Sequence, residues 1–250
     1  MSDPSNRLSV IPSRPAVMTV MSTLGLALGG GIAAIFGAIG LQAVGGVMNV
    51  VDSDAFTVAG VGTQIGFAAV AVCYLSIVDE WPRYLKVRWP TLEDVGWIAV
   101  LPVLFVVVGR GLNVVLSVVG VATPSTSHGA QGTAAVLATR PVLWAVAIPV
   151  LYLFAAPAEE LLYRGIVQGR LRPHFGTTGV VIASGAAFGL VHAVMGLVSP
   201  SDYFIHWIAS TVIGGTIWAF VYERTENLAV TAINHAMGWT ISFSTVLPFS

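Results

Sequence analysis

The chain has 250 residues, of which 56% are apolar or aromatic and only 9% are charged, and its mean hydropathy is +0.84. Soluble domains carry about 25% charged residues, so this composition excludes an ordinary soluble protein and indicates a multi-pass membrane protein. The formal net charge of −1 suggests neither nucleic-acid binding nor a strongly acidic partner, and the single cysteine excludes an internal disulfide.

Long apolar runs predict an all-α fold, a polytopic transmembrane helical bundle. Because one crossing takes about 20 residues, we predict about seven helices, with six and eight as alternatives. The predicted spans are residues 18–40, 56–78, 97–121, 141–161, 178–198, 203–222 and 228–248. The first run is too long for the core of a signal peptide, so we expect a retained helix. The stretches DEWPRYLKVRWPTLED and ATPSTSHGAQG predict loops after the second and third spans.

Basic residues predict the orientation of the chain in the cell membrane. Short cytoplasmic loops are enriched in lysine and arginine. The basic residues on one predicted side are Arg7, Arg14, Arg83, Lys86, Arg88, Arg164, Arg170, Arg172 and Arg224. The loops on the opposite side contain one basic residue, Arg140. We therefore expect a cytoplasmic amino terminus and a carboxyl terminus on the outside.

Ionisable side chains inside the predicted spans are the candidates for function. Such a group costs about 2.5 kcal/mol or more in hydrocarbon and usually faces the bundle interior. The set comprises Arg110 in the third span, three residues at the cytoplasmic end of the fourth span, and one histidine in each of the last three spans: Glu159, Glu160, Arg164, His192, His206 and His235. With a rise of about 1.5 Å per residue, Glu159, His192 and His235 are predicted at a similar depth, open to the cytoplasmic side.

Two members of this set are predicted to lie apart from that layer. His206 enters its span from the outer face, so we expect an interfacial or hydrogen-bonded histidine there. Arg110 lies within the third predicted span. It is compatible with neutralising a buried acid, with reaching to the interface or with facing water.

Helical geometry separates the two adjacent carboxylates. Glu160 and Arg164 are about 40° apart around a helix, which predicts an ion pair, whereas Glu159 is about 140° from Arg164. Glu159 is thus left to project elsewhere as the candidate general base. Phe188 lies one turn before His192, where its ring can support the imidazole.

Two imidazoles and a carboxylate are compatible with two kinds of site. They can activate a water molecule and stabilise an oxyanion, or they can form a zinc site in which Glu159, His192 and His235 leave one position for water. The sequence leaves the cofactor open between zinc and none.

These motifs resemble those of a known family. Glu159, Glu160 and Arg164 match E-E-x-x-x-R, and Phe188 with His192 matches F-x-x-x-H. The stretch GGTIWAFVYERTENLAVTAINH, which ends at His235, resembles the third region of the same family. The set is similar to the CPBP intramembrane proteases, also called the Abi family, which include the type II CAAX prenyl endopeptidases and the bacteriocin-processing or immunity proteins.

The resemblance implies an all-helical membrane endopeptidase. Its core would span residues 140–250, with the amino-terminal helices and a cytoplasmic loop in residues 1–139 of one integral membrane domain. Glu159 and His192 would activate water, and the polar pair on the last helix would stabilise the oxyanion. The implied partners are the lipid bilayer and a peptide or lipopeptide substrate, without nucleic acid. The oligomeric state is left open.

One position departs from the family pattern. The last motif is usually H-x-x-x-N, but Trp239 stands four residues after His235. Asn234 is adjacent to His235 yet about 100° around the helix, so it is no simple replacement. The indole of Trp239 can donate one hydrogen bond and accept none. Weak activity, activity on another substrate and no activity all stay open.

Two functions of other classes also stay open. Buried carboxylates and histidines serve as proton relays in transporters. However, transporters often have two related halves, and this charged set is concentrated in the second half of the chain. The departure at Trp239 is also compatible with a catalytically silent membrane adaptor or immunity protein.

Overall fold

The structure, a computed structural model, describes residues 14–47, 52–123, 137–198 and 203–244. Over these ranges the chain is helical and has no β-strand, which confirms the predicted all-α class. The helices are α1 (Arg14–Val47), α2 (Asp52–Val78), α3 (Trp81–Tyr84), α4 (Leu92–Val118), α5 (Pro141–Leu171), α6 (Thr177–Val198), α7 (Phe204–Thr225) and α8 (Leu228–Ser244).

Six helices of the described residues are long and apolar enough to cross a membrane, namely α1, α2, α4, α5, α6 and α7. This number is the lower end of the predicted range. Helix α8, the predicted seventh crossing, has 17 residues, and the last residues of that span, 245–248, lie outside the described residues. Exposed apolar side chains such as Ile77, Val118 and Leu153 cover the outside of the bundle, as a lipid-facing surface requires.

The loop after the second span is shorter than predicted. It contains the one-turn helix α3, and α4 begins at Leu92 rather than at residue 97. Thr91 caps α4, because its Oγ1 accepts a hydrogen bond from the Asp94 amide at 3.3 Å while the Asp94 carboxylate accepts one from the Thr91 amide at 2.7 Å. This reciprocal capping box places the start of the helix inside the polar stretch. Most of the loop predicted after the third span, residues 124–132, lies outside the described residues.

Helices α1 and α2 pack against each other through glycines. A Cβ atom on Gly37 would overlap the backbone of Gly62, and one on Gly66 would overlap the backbone of Ala33. Only glycine permits this approach of the two backbones. The main apolar core lies next to this contact, where α1 and α2 meet α5 and α6.

The loop before α4 also holds the turn between α7 and α8. The Arg88 guanidinium donates to Asp94 Oδ1 at 3.2 Å and to the carbonyl of Thr225 at 2.7 Å. Asn227 is buried, and its Nδ2 donates to the carbonyl of Arg88 at 3.1 Å. These bonds place the beginning of α8, and hence the register of the side chains that it sends into the bundle.

Candidate active site

Helix α5 is irregular on both sides of its two glutamates. The segments Leu151–Ala155 and Leu161–Gln168 are π-helical, and the α-helical turn Ala156–Glu160 lies between them. Pro157 has no amide hydrogen, so it cannot bond to the carbonyl four residues earlier, and a π turn accommodates such a break. Turns of this kind are common at functional sites.

The length of α5 corrects the predicted fourth span. The helix runs over Pro141–Leu171, whereas the prediction ended at residue 161. Glu159 and Glu160 therefore lie within the helix and not at its end. Both side chains are buried.

Glu159 is buried and is contacted from two other helices. Gln64 Nε2 of α2 donates to Glu159 Oε2 at 3.3 Å. On α6, His192 Nε2 lies 3.5 Å from Glu159 Oε1. His192 Nδ1 lies 2.8 Å from the carbonyl oxygen of Phe188. A carbonyl only accepts, so Nδ1 carries the hydrogen, and Nε2 of the neutral ring is an acceptor.

Glu159 Oε1 and His192 Nε2 are therefore two neighbouring acceptors with no hydrogen between them. Glu159 Oε1 is buried and has no hydrogen-bond partner among the described residues. A buried oxygen of this kind requires a donor, and one water molecule offers two hydrogens. Because the two acceptors are only 3.5 Å apart, such a water would lie beside them and bond to both.

Glu160 has a different environment, in which a cation balances its charge. Arg164 Nε lies 3.3 Å from Glu160 Oε2, and both side chains are fully buried, which confirms the predicted ion pair. His235 Nδ1 of α8 lies 2.9 Å from Glu160 Oε1. The guanidinium also lies 4.7 Å from the centre of the Phe188 ring, a cation–π distance.

Phe188 is at the centre of these groups. Its ring centroid lies 4.2 Å from that of His192 and 6.4 Å from that of His235, and Tyr163 packs on it at 4.9 Å. The predicted support of the His192 ring by Phe188 is confirmed. One aromatic ring thus separates two pairs, Glu159 with His192 and Glu160 with His235.

Aromatic rings enclose His235. Trp218 of α7 stacks on it with centroids 4.2 Å apart and planes at 27°, and Trp239 lies 4.2 Å away with planes at 45°. Trp239 thus occupies the position of the usual asparagine and packs on the ring of the histidine. Asn234 lies on the other side, where its Oδ1 accepts a hydrogen bond from Trp218 Nε1 at 3.2 Å.

The zinc arrangement that the sequence left open requires Glu159, His192 and His235 to converge on one point. The Nδ1 atom of His235 is taken by Glu160, which leaves its Nε2 edge for any other ligand. Within the described parts of the chain, no group of three or more histidine, cysteine, aspartate or glutamate side chains is placed to hold a metal ion.

The other two ionisable residues lie away from the site. His206 Nε2 is 2.7 Å from Asn113 Oδ1, so the prediction of a hydrogen-bonded histidine is confirmed. Arg110 is exposed on α4. Of its three open roles, this exposure favours reaching to the interface or facing water.

Sequence reasoning missed two residues of the site, Gln64 and Trp218. Gln64 is the one amide in the apolar stretch VAGVGTQIGFAAVAV, so a search for uncharged polar groups in the spans would have found it. Trp218 has no such signal, because a tryptophan in an apolar helix is ordinary. Only its contacts with His235 and Asn234 reveal its place.

The described bundle and its buried carboxylate and histidine pairs define an all-helical, multi-pass membrane protein with a polar site inside the helices. Residues 141–240 match the family model described as type II CAAX prenyl endopeptidase Rce1-like. The match covers less than half of the chain and is consistent with the resemblance of its motifs to the CPBP family. Comparison with curated proteins gave no match, and comparison with solved structures gave none either.

Proposed function

We propose that the chain is an intramembrane endopeptidase that hydrolyses a peptide bond near the membrane, with water activated by Glu159 and His192. The observation that carries the proposal is the pair of acceptors Glu159 Oε1 and His192 Nε2, which are 3.5 Å apart and can both bond to one water molecule beside them. Because Phe188 accepts the Nδ1 hydrogen, the opposite edge of the imidazole is held toward the carboxylate. The matched family supports the same class of reaction.

The proposed reaction begins when Glu159 removes a proton from a water that is hydrogen-bonded to both Glu159 and His192. The oxygen of the resulting hydroxide attacks the carbonyl carbon of the peptide, and the carbonyl oxygen becomes the oxyanion. The proton on Glu159 then passes to the leaving nitrogen as the C–N bond breaks. No external oxidant, reductant or further co-reactant is needed.

The second pair of residues serves the oxyanion in this proposal. In this proposal the His235 ring carries a hydrogen on each nitrogen: Nδ1 donates to Glu160, and Nε2 donates to the tetrahedral oxygen. Arg164 balances the charge of Glu160 and keeps this carboxylate in place as the acceptor for His235. Trp239 packs on the ring of His235. Asn234 accepts a hydrogen bond from Trp218, the neighbour of His235.

The contacts favour a glutamate-dependent catalytic type over a metallo-endopeptidase. The carboxylate that would act as base has a neutral amide and an imidazole as its neighbours. Metal analysis of the purified protein, together with the cleavage rate with and without a chelator, tests this assignment. A stoichiometric metal whose removal abolishes cleavage would contradict it.

The substrate class that we propose is a peptide whose carboxyl-terminal segment is lipidated or apolar, as in CAAX-type processing. Prenylated C-a-a-X ends reside at the membrane surface, and a site within the helices can receive such a segment laterally from the bilayer. The description of the matched family supports this choice.

The test is cleavage of a quenched, prenylated CAAX peptide by the purified protein in detergent, compared with the same peptide without the lipid. We expect Glu159→Ala to reduce kcat at least about 100-fold. Glu93→Ala removes an exposed carboxylate of α4 and serves as the control with unchanged cleavage. Undiminished cleavage by Glu159→Ala would refute the assignment. Proton-dependent uptake into liposomes without cleavage would favour a transporter, and neither activity would favour a silent adaptor.

A further inference from the structure

We propose that Gln64 of α2 is a positioning residue for Glu159, so that a helix outside the matched segment completes the active site. The inference rests on the proposed function, because it takes Glu159 as the general base. It assigns a role to a side chain that belongs to none of the three sequence motifs.

The hydrogen bond between Gln64 and Glu159 has one possible direction. Gln64 Nε2 donates to Glu159 Oε2 at 3.3 Å, and both side chains are buried. If the amide were reversed, its oxygen would face a carboxylate oxygen, and two acceptors would meet without a hydrogen between them. The amide therefore donates to one oxygen of Glu159 and leaves the other, Oε1, directed to His192.

A neutral hydrogen-bond donor is a suitable partner for a carboxylate that acts as a base. The partner of Glu160 is the guanidinium of Arg164, and a cation at this distance opposes protonation of a carboxylate. Gln64 is neutral, so it restricts the rotation of Glu159 without placing a balancing positive charge beside it. The two adjacent carboxylates thus differ in the way that a structural and a reacting group should differ.

The backbone around Gln64 is held on both sides of the residue. Gly62 and Gly66 precede and follow it, and a Cβ atom on either would overlap the backbone of α1. Phe67, one residue further, packs against Tyr163 of α5 with ring centroids 5.7 Å apart. The amide is therefore carried by a segment fixed against both α1 and the helix of the glutamates.

The test compares substitutions of Gln64 that separate volume from hydrogen bonding. Gln64→Met retains the approximate volume and removes the donor, and Gln64→Glu retains the shape but presents a second carboxylate. Gln168→Met is the matched control, because Gln168 is the other buried glutamine of the described residues and donates to Ala219 and Glu223 instead. Cleavage of the prenylated peptide is measured per folded molecule, together with thermal unfolding in detergent.

We expect both Gln64 variants to lower kcat by about 10- to 100-fold with KM within about two-fold, since a misplaced group affects the chemical step more than binding. The Gln168→Met variant should retain kcat within about two-fold even if its Tm falls. A third variant, Gln64→Ala, removes both the volume and the donor. If Gln64→Met retains kcat and only Gln64→Ala loses it, the side chain fills volume and the proposal is overturned.

A double-mutant cycle with Glu159→Gln distinguishes failure of this inference from failure of the proposed function. If the wild-type chain cleaves no peptide, the proposed function fails. The Tm values of the Gln64 variant, of Glu159→Gln and of the double variant then decide whether the two side chains are coupled. If the Tm decreases of the two single variants add up to at least about 2 °C more than the Tm decrease of the double variant, the result supports the coupling. Additive losses overturn it.

Discussion

The adjacent residues Glu159 and Glu160 should respond in opposite ways to the same substitution. In Glu160→Gln, the fully buried Arg164 loses the carboxylate that lies 3.3 Å away, and His235 loses a charged acceptor at 2.9 Å. Breaking a buried ion pair by removing one partner costs about 3–5 kcal/mol, because the remaining charge stays buried. At about 2–4 °C per kcal/mol for a chain of this size, the Tm should fall by about 6–20 °C.

In Glu159→Gln, no buried arginine is left without its partner. The neighbours of Glu159 are the Gln64 amide and the His192 ring, and both can bond to an amide. We therefore expect a Tm change equivalent to less than about 1.5 kcal/mol, which is the net value of one hydrogen bond. The kcat should nevertheless fall by about 10²- to 10⁴-fold, since an amide is no general base.

The assay is thermal unfolding in detergent, followed by tryptophan fluorescence, with peptide cleavage measured on the same preparations. The double variant Glu160→Met with Arg164→Met is the control for a stranded charge. Removal of both partners of a buried pair is often neutral, so the double variant should unfold at a higher temperature than Glu160→Gln. Equal losses of stability in Glu159→Gln and Glu160→Gln would refute this division of roles.

Three further predictions concern other parts of the chain. Trp239→Asn supplies a donor and acceptor at the usual family position but removes a packed ring. Because Trp239 is only partly buried, we expect a loss of stability smaller than about 3–5 kcal/mol, the cost for a fully buried tryptophan. The kcat per folded molecule should rise by up to about 100-fold, and an unchanged kcat would contradict this. Gly66→Val should lower the yield of monodisperse protein in size-exclusion chromatography, because its side chain would overlap α1, whereas Gly60→Val, which meets no neighbour, should not. The hydrogen bond from Lys86 holds the pKa of Glu226 below its ordinary value of 4.5. This small stabilisation is present above pH 4.5 and is lost as the pH falls through the lower folded value, so Tm curves of wild type and Lys86→Met should converge in acid.

The predicted pairing within single helices was accurate because it depends on helical geometry alone. Glu160 and Arg164 are four residues apart, as are Phe188 and His192, and both pairs are in contact. The contact of Glu160 with Arg164 persists although α5 is π-helical from Leu161. A spacing of this kind is a local property, so the sequence is sufficient to predict it.

The same reasoning was less successful where backbone hydrogen bonding departs from a regular helix or where a cap decides a boundary. The end of α5 at Leu171 and the start of α4 at Leu92 both differ from the predicted span limits. Hydropathy detects apolar length, but a helix continues beyond the apolar stretch as long as its polar groups have partners. Thr91 and Asp94 supply those partners for each other at the start of α4.

By itself, the amino-acid sequence determined that this protein is a helical membrane protein with a buried set of carboxylates and histidines in its second half, because apolar length and intramembrane charge are properties of composition and local spacing. Only the tertiary structure decided which histidine meets which carboxylate. It placed His192 beside Glu159, His235 beside Glu160, and Gln64 of a distant helix on the proposed base. The physical reason is that depth along a helix follows from residue number, whereas the direction in which a side chain faces a neighbouring helix depends on how the helices are packed around each other.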